Sequence, residues 1–499
     1  MFSYISFHKL LQLFVYNPQD NLYFSSSFFL FTFFILLLFY RLFAKSKNAK
    51  IYAILIFSLF FFYKNSGYFL LLLLFTTLLN FYLGNWLYKT KSQSFKKFLF
   101  LFAILIDLGL LVYFKYTNFF IQILNDLHSG NIQPLDILLP IGISFYTFKA
   151  MSYVIELFID TIQPTDSLKN FCLYMFFFPN ILMGPIDRAE DFLPQVESEN
   201  IITKEDIGRA VFLIICGLIK KNIIADYIGI NFVDRVFQVP LFYTGVENLL
   251  ASYAYTIQLY CDFSGYTDIA IGISLLLGYK IMNNFNIPFT ATSISDYWRR
   301  WHISLSTWLL DYMFTPLQAK FRRMRIYGSA FATFLTFLAI GIWHGANWTF
   351  VAFGLIHALF MVTSLFTIKY RRAFYDKVGL SGTKILIIFQ MLITFHLVVI
   401  GNIIFRSESI QTALNVFHQI LISFHGTVFS QWIVAYKPVS ILILLAYILH
   451  FIPKSFDNKI QDLITKTPLA IQALVLAIMI IVVVQVQSAQ LQPFIYFHF

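Results

Sequence analysis

Residues 97–115 read KFLFLFAILIDLGLLVYFK, and this stretch decides the fold class. Between its terminal lysines it carries one charged residue, Asp107, among apolar side chains. A transmembrane helix needs about 20 mostly apolar residues, so this run predicts a helix that crosses a bilayer. Similar runs recur along the chain, and together they predict about eleven crossings. The candidate spans or hairpin halves are residues 24–44, 51–64, 68–86, 97–115, 137–159, 169–184, 207–225, 247–278, 328–345, 347–368, 383–405, 431–452 and 468–488.

Two of these runs are too short to cross a bilayer alone. Residues 51–64 are expected to form half of a hairpin. Residues 169–184 are expected to be re-entrant, because Pro179 and the Gly184-Pro185 pair interrupt the apolar run.

The composition of the whole chain agrees with a membrane protein. Of its 499 residues, 59% are hydrophobic and only 12% are charged, against roughly a half and a quarter in soluble domains. Such a chain has too few polar side chains to cover a surface in water. The composition excludes a soluble enzyme, a secreted disulfide scaffold and a disordered chain. We therefore predict an all-α polytopic bundle that forms one domain over residues 1–499.

The basic residues fall in short breaks between apolar runs and give a formal net charge of +11. Excess Lys and Arg in short loops marks the cytoplasmic side of a membrane protein. Topology and attraction to anionic membrane lipids explain this pattern without nucleic-acid binding. A secondary role in attracting a polyanionic cytosolic donor stays open. The basic clusters lie at residues 41–50, 89–97, 320–325 and 369–372.

The N-terminal segment and the cysteines carry weaker signals. Residues 1–23 lack the pattern of a cleaved signal and are expected to lie at the membrane interface. Cys172, Cys216 and Cys261 are isolated and form no metal-binding spacing, so they are interpreted as small buried side chains.

A polar stretch, DYWRRWHISLSTWLLDYM at residues 296–313, stands apart from the spans. Its aromatic residues advance by three and four, which predicts one amphipathic helix within residues 293–320 at the cytoplasmic surface. Ser293 is expected to cap its start. His302 falls on the inward, tryptophan-bearing face. The outward face is predicted to hold Arg299, Arg300, Ser304, Thr307 and Asp311.

Ionisable groups at membrane depth are candidates for function. His344 ends the apolar run FATFLTFLAIGIW at residues 331–343 and opens WHGANW, where Gly345 permits a close approach. A neutral imidazole can take a proton from a hydroxyl that attacks an acyl carbonyl. A buried histidine that only satisfies hydrogen bonds is the alternative for both His344 and His302.

Carboxylates and a lysine also lie in apolar runs. Asp262 and Asp268 fall on different helical faces unless Gly265 breaks the helix, and bonding to freed backbone groups at such a break is one role. Lys149 and Glu156 share a face and are expected to form an internal ion pair.

Three further polar residues are single, and interhelical hydrogen bonding is expected for them. They are Asp107, His357 and His396. The chain has no phosphate loop, no GxSxG and no HExxH, so kinase, serine-hydrolase and zinc-peptidase functions lack support and no metal site is predicted.

Five motifs in order carry a resemblance to a known family. They are LLPIGISFYTFKAMSYVIE (138–156), FFPNILMGPIDRAEDFLPQ (177–195), QLYCDFSGYTDIAIGISLLLGY (258–279), YWRRWHISLSTWLLDYMFTPL (297–317) and GIWHGANWTFVAFGLIHALF (341–360). Together they resemble the bacterial membrane-bound O-acyltransferases, in the branch of the alginate O-acetyltransferase membrane subunits. Lys149 departs from the pattern, which has an uncharged polar residue there.

The resemblance implies a helical bundle with a central tunnel, in which His344 is the catalytic base and His302 the second essential residue. It implies acetyl-CoA as the cytosolic donor, with no permanently bound cofactor, in a bacterial inner membrane. The acceptor is then an extracytoplasmic polysaccharide hydroxyl or a periplasmic SGNH-type acetyltransferase partner. Supporting or tunnel-lining positions are expected at Asp262, Asp268, Trp298, Arg299, Arg300, Trp343 and Asn347.

Two alternatives remain open at this point. One is D-alanyl transfer to teichoic acid from a carrier protein, since the FFPNILMGPIDR segment is shared with that branch. The other is a transporter or flippase whose buried charges line a permeation path.

Overall fold

The computed structural model describes residues 12–18, 21–43, 45–128, 130–199 and 201–486. Across these residues the chain forms helices and no β-strand, apart from one isolated bridge between Phe285 and Trp301. The predicted all-α class is confirmed. The chain divides into two compact units, while the single-domain prediction stays a prediction. The predicted interfacial segment 1–23 lies mostly outside the described residues.

The first unit comprises the described residues up to Val211 together with Ile269–Met282. Its centre is a cluster of phenylalanines around Phe178, whose ring centroid lies 4.8 Å from that of Phe57 and 5.7 Å from that of Phe61. Between membrane helices such packing substitutes for the hydrophobic effect, because lipid is as apolar as phenylalanine. Its helices are Ser27–Leu42, Lys47–Ser66, Leu70–Lys89, Gln93–His128, Ile143–Phe158, Leu168–Phe176, Phe178–Ile181, Ala189–Glu197 and the first part of Lys204–Leu218.

The predicted ion pair between Lys149 and Glu156 is wrong. The Lys149 ammonium instead donates to the carbonyl of Tyr174 and to the side-chain oxygen of Asn180, 3.1 Å away. The Asn180 amide in turn donates to the Asp187 carboxylate at 2.7 Å. The break after Phe176 brings Asn180 to Lys149, a contact that helical spacing along one helix does not reveal.

The second unit comprises Phe212–Asp268 and the described part of the chain from Asn283 onward. Three of its segments, Ile219–Ala225, Gly229–Val233 and Leu310–Phe314, have π-helical geometry. The longer helices are Gly245–Leu276 (which ends in the first unit), Ile326–His344, Trp348–Lys377, Lys384–Arg406, Ile410–Ile422, Lys437–His450, Lys454–Lys466 and Leu469–Val486. The short ones are Asp226–Ile228, Asp234–Gln238, Pro240–Phe242, Pro288–Thr290, Ile294–Trp298, Ile303–Leu309, Leu310–Phe314, Thr315–Lys320, Arg322–Met324 and Val428–Ala435.

Within the described residues, six helical segments are long and apolar enough to cross a membrane. A seventh is added if the pair Val428–Ala435 and Lys437–His450, bent by 95°, is one broken span. The predicted hairpin half 51–64 lies in the first helix of the segment Lys47–Lys89. The count of about eleven crossings stays a prediction, because several candidate runs form helices that are short or rich in polar side chains.

The stretch 296–313 is not the single helix that its periodicity predicts. Helix Ile294–Trp298 ends, and a new helix Ile303–Leu309 begins after His302, whose φ of 44° lies in the left-handed region. Long-range backbone pairing causes the break: the Asn286 N–H donates to the Arg300 carbonyl at 3.0 Å. The Ser293 cap is confirmed, because its hydroxyl accepts from the Asp296 N–H at 3.2 Å.

The face assignment of this stretch is largely confirmed. His302, Trp298, Trp301, Leu305 and Trp308 are buried. Ser304 was assigned to the outer face, and that assignment is wrong. Its hydroxyl donates to the Asn284 side chain at 2.6 Å, because the break rotates the second helix relative to the first.

Candidate functional site

His344 is the last residue of helix Ile326–His344 and is 4% exposed. Its ring lies among aromatic rings, with centroid distances of 5.0 Å to Phe405 and 5.7 Å to Phe353. Gly345 follows in an extended conformation, and a Cβ there would lie 2.3 Å from the ring of Phe350. The glycine after the histidine therefore allows Phe350 to close over the chain beside His344.

His302 is 1% exposed and stands at the break between the two short helices. Its ring packs edge-on against Phe263, at a centroid distance of 4.7 Å. Burial lowers the pKa of His302 to about 3, so the ring is neutral at pH 7. A neutral imidazole can donate or accept a hydrogen bond, but it supplies no positive charge to a reaction.

The two histidines converge on one indole. The Trp343 ring centroid lies 5.9 Å from that of His302 and 5.1 Å from that of His344. The histidines are 42 positions apart in the chain, yet both face the last turn of one membrane helix. This arrangement places two imidazoles, which can donate and accept hydrogen bonds, against the same aromatic ring.

Trp298 belongs to the same neighbourhood, whereas the adjacent arginines do not. The Trp298 indole N–H donates to His357 at 3.3 Å, and its ring lies 5.2 Å from that of Phe337. Arg299 is exposed, and Arg300 pairs with Asp296 at 3.0 Å. The structure therefore directs Arg299 and Arg300 away from the two histidines. It confirms interhelical hydrogen bonds for His357, for Asp107 with Asn80, and for His396 with Tyr253.

Asp262 and Asp268 lie on one unbroken helix, Gly245–Leu276. Each forms an ion pair: Asp262 with Lys221 at 2.6 Å, and Asp268 with Lys220 at 2.7 Å. The helix is therefore not broken at Gly265, and the two aspartates do not bind backbone groups freed by such a break.

Gly265 serves close packing instead. A Cβ at this position would lie 2.8 Å from the carbonyl oxygen of Gly217 and 3.0 Å from the amide nitrogen of Lys221. Only a residue without a side chain lets the two backbones approach this closely. The approach brings both lysines beside the aspartates.

Sequence reasoning missed Lys220 and Lys221. Two adjacent charges inside the apolar run of residues 207–225 were the available signal. Lys221 also pairs with Asp226 at 2.7 Å, so it joins two carboxylates in one buried network. Both lysines lie in one π-helical segment, Ile219–Ala225.

This network borders a cavity of about 530 Å³. Asn347, in the WHGANW motif, lines the cavity and caps helix Trp348–Lys377, accepting from the Thr349 N–H at 3.0 Å. Phe350 and Phe405 line the cavity and also contact His344. The cavity thus ends at the two rings that cover the histidine. The central tunnel stays a prediction.

Comparison with known proteins places these residues in a family. The sequence model of the MBOAT, membrane-bound O-acyltransferase family matches residues 162–402, a region that contains His302, His344 and both aspartates. The chain is 39% identical over 320 residues to the probable alginate O-acetylase of Pseudomonas aeruginosa, covering 62% of this chain and 58% of that protein. It is 31% identical over 369 residues to the peptidoglycan O-acetyltransferase of Helicobacter pylori, covering 68% and 67%.

A third relative has a different named activity. The teichoic acid D-alanyltransferase of Bacillus subtilis is 32% identical over 279 residues, covering 54% of this chain and 69% of that protein. The chain spans about three fifths of the length of the alginate O-acetylases that it matches. Taken together, these matches show that the chain belongs to the membrane-bound O-acyltransferase family.

Proposed function

We propose that the protein is a multi-pass O-acyltransferase of a bacterial inner membrane. It moves an acetyl group from cytosolic acetyl-CoA to an extracytoplasmic hydroxyl, on a polysaccharide or on a periplasmic SGNH-type partner. The observation that carries this proposal is the convergence of His302 and His344 on Trp343 within the family-matched region. The named activities of the alginate and peptidoglycan relatives support acetyl as the group transferred.

In the proposed reaction, His344 is the general base. Its imidazole takes the proton of the acceptor hydroxyl as the oxygen attacks the thioester carbonyl carbon. The carbon–sulfur bond then breaks, and the coenzyme A thiolate leaves and takes up the proton from the imidazolium. The products are an acetyl ester and free coenzyme A.

His302 acts as a hydrogen-bond donor in this scheme. Because its ring is neutral at pH 7, it stabilises the oxyanion or orients the thioester through an N–H group and not through charge. Trp343 fixes the spacing of the two imidazoles by packing against both. Trp298 and its hydrogen bond to His357 hold the segment that carries His302.

The rings around His344 must move for this chemistry to occur. His344 is 4% exposed, and Phe350 and Phe405 cover it. Contact with a substrate therefore requires movement of at least one of the side chains packed around His344, which also include Trp343 and Phe353. Closed aromatic packing around a base also keeps water from hydrolysing the thioester.

The test uses purified protein with labelled acetyl-CoA and candidate acceptors. The wild-type protein transfers label, and His344→Gln lowers the rate by about 10²- to 10⁴-fold, the usual contribution of a general base. Tyr253→Phe serves as a control because the Tyr253 side chain contacts His396 and not His344. Label transfer that is equal in wild type and His344→Gln contradicts the assignment.

D-alanyl transfer is the second candidate, favoured by the match that covers 69% of the Bacillus subtilis enzyme. The same assay distinguishes the two when it is run with D-alanyl carrier protein as donor. Label transferred from that donor and not from acetyl-CoA overturns the acetyl proposal.

A further inference from the structure

A separate cavity of about 380 Å³ lies in the first unit, at the turn that joins helices Ser27–Leu42 and Lys47–Ser66. Three lysines of the basic cluster 41–50 line it, Lys45, Lys47 and Lys50. Lys45 and Lys47 are exposed, and Lys50 is half-buried. A concave surface lined by charges of one sign raises the local concentration of the opposite ion. The cavity therefore has the character of an anion site.

The three lysines are not neutralised by the protein. Within the described residues, none of their ammonium groups forms an ion pair with a carboxylate. Lys47 donates to the backbone carbonyl of Glu197, and the Lys50 ammonium lies 5.2 Å from the ring centroid of Tyr40. Glu199 also lines the cavity, so its wall carries three positive charges and one negative charge. An anion between the lysines would relieve their mutual repulsion.

The buried part of the cavity wall is aromatic, but the protein already uses these rings. Tyr279 stacks on Phe192 at a centroid distance of 5.4 Å, and Lys50 covers a face of Tyr40. The Tyr40 hydroxyl donates to the carbonyl of Leu277 at 2.6 Å. We therefore expect charge, and not stacking on an aromatic ring, to select the ligand.

The lysines lie where lipid headgroups meet the hydrocarbon core. Helix Ser27–Leu42 rises about 24 Å along its 16 residues. Phe34, Leu38 and Leu42 on this helix are 58%, 50% and 77% exposed, which marks a surface that faces lipid. Lys45 follows Leu42 by three residues. Since basic clusters mark the cytoplasmic side, the cavity lies at the cytoplasmic interface.

An apolar groove runs between the same two helices. Its volume is about 530 Å³, and Phe43 and Ala49, which line it, flank the turn that carries Lys45 and Lys47. A groove of this kind accommodates an acyl chain. Its position beside the lysines favours a lipid over a free phosphate as the source of the anion.

We propose that the lysine-lined cavity binds the phosphate of an anionic phospholipid from the cytoplasmic leaflet. Each ammonium offers three N–H donors, and phosphate oxygens accept strong, charge-assisted hydrogen bonds from them. Lysine is a point charge on a flexible stem and has no rigid fork of donors. The site should therefore select the net charge of the headgroup and not its shape. The choline cation of phosphatidylcholine would meet the lysines, so this lipid should bind weakly.

The experiment measures lipid binding to the full chain in an uncharged detergent by native mass spectrometry. The probes are dioctanoyl phosphatidylglycerol, dioctanoyl phosphatidylcholine, glycerol 1-phosphate and coenzyme A. We expect the phosphatidylglycerol to bind at least about tenfold more tightly than the phosphatidylcholine, because each basic residue near an anionic headgroup contributes about fivefold. Glycerol 1-phosphate and coenzyme A should bind at least about tenfold more weakly than the phosphatidylglycerol, because they have no acyl chain for the groove.

Two kinds of variant test the cavity itself. The triple variant Lys45→Gln, Lys47→Gln and Lys50→Gln should weaken phosphatidylglycerol binding by about 100-fold. Glu199→Gln should strengthen it by about two- to fivefold, because a negative charge leaves the wall. A gain of affinity cannot result from misfolding, so Glu199→Gln keeps the test decisive if the triple variant is unstable.

A matched control removes the same charge elsewhere in the first unit. The basic cluster 89–97 holds three exposed lysines, and its Lys96 is already paired with Asp160 at 2.8 Å and is left in place. The control should change phosphatidylglycerol binding by less than about twofold, because exposed charges are screened by salt. Its substitutions are Lys89→Gln, Lys91→Gln and Lys97→Gln.

Three results would overturn the proposal. The first is equal loss of binding in the two triple variants, which would show a diffuse effect of net charge. The second is phosphatidylcholine binding as tight as phosphatidylglycerol binding. The third is glycerol 1-phosphate or coenzyme A binding as tight as the lipid, which would assign the cavity to a soluble phosphate ligand. Acyl transfer is not part of this test, so its outcome leaves the proposed function unaffected.

Discussion

Removing Asp262 from its buried ion pair with Lys221 should cost more stability than removing the acidic partner of either of two more exposed pairs in the same unit. The carboxylate side chain is 2% exposed, the lysine side chain is 8% exposed, and their charged atoms are 2.6 Å apart. Removing one partner of a buried pair typically costs about 3–5 kcal/mol, because the other charge stays buried. Asp226 remains 2.7 Å from the ammonium, so we expect the lower end for Asp262→Asn, about 3 kcal/mol.

Two other ion pairs in the same unit are more exposed and allow a comparison of stability losses. Asp268 and Lys220 are 18% and 29% exposed in their side chains, and Asp234 and Arg406 are 37% and 23% exposed. Solvent screens such pairs, and exposed ones contribute about 0–1 kcal/mol. We therefore expect the loss of stability to be largest for Asp262→Asn, intermediate for Asp268→Asn and smallest for Asp234→Asn.

The assay is thermal unfolding of each purified variant at one scan rate and one lipid composition, since the unfolding temperature depends on both. At roughly 2 °C per kcal/mol for a large domain, Asp262→Asn should lower the midpoint by about 6 °C. Asp234→Asn should lower it by about 2 °C or less.

A double-mutant cycle tests the reasoning further. Lys221→Gln combined with Asp262→Asn should cost much less than the sum of the single changes, because both remove the same pair. The reasoning is refuted if Asp262→Asn shifts the midpoint no more than Asp234→Asn does. Additive effects in the cycle would refute it as well.

Three further predictions concern packing, protonation and access. Gly265→Ala should lower the unfolding temperature by several degrees, because its Cβ would lie 2.8 Å from the Gly217 carbonyl; an unchanged midpoint would contradict the close approach. Burial lowers the pKa of His302 to about 3 from an ordinary value near 6.5. Below pH 6.5 the unfolded chain therefore binds a proton at this histidine that the folded chain does not bind. The free energy of unfolding should fall as the pH drops from about 6.5 towards 3, by up to about 1.4 kcal/mol per pH unit. Asparagine tolerates the left-handed backbone, so His302→Asn should keep the fold and weaken the pH dependence of the unfolding midpoint. The same pH dependence in wild type and His302→Asn would contradict the assignment to His302. Phe405→Ala should speed chemical modification of the His344 ring by diethyl pyrocarbonate, and no change in rate would show that Phe405 does not cover it.

The fold class followed from the sequence because apolar runs such as residues 97–115 are about as long as a helix that crosses a bilayer core. The same argument is weak where a helix is polar on several faces. Helix Gly245–Leu276 contains Asp262 and Asp268, and only its partners show how these charges are accommodated. A count of spans from hydropathy does not include such ion pairs, because the lysines that neutralise the aspartates come from another segment.

In the candidate site, too, single residues could be selected from the sequence, whereas their contacts in the fold could not. His344 could be selected from its position at the end of an apolar run, and His302 from its place on a tryptophan-bearing face. Their convergence on Trp343 depends on the backbone break at His302, where φ is 44°.

That break has no signal in helical periodicity, since 3.6-residue spacing continues through it. It is set by the carbonyl of Asn284, which accepts from the Ile303 N–H at 3.0 Å, a partner outside the stretch. A histidine in the left-handed region is unusual but tolerated. A β-branched residue is strongly disfavoured there. His302→Val should therefore be far more damaging than His302→Asn to the fold around Trp343. Equal unfolding temperatures for the two variants would show that the left-handed turn does not constrain this position.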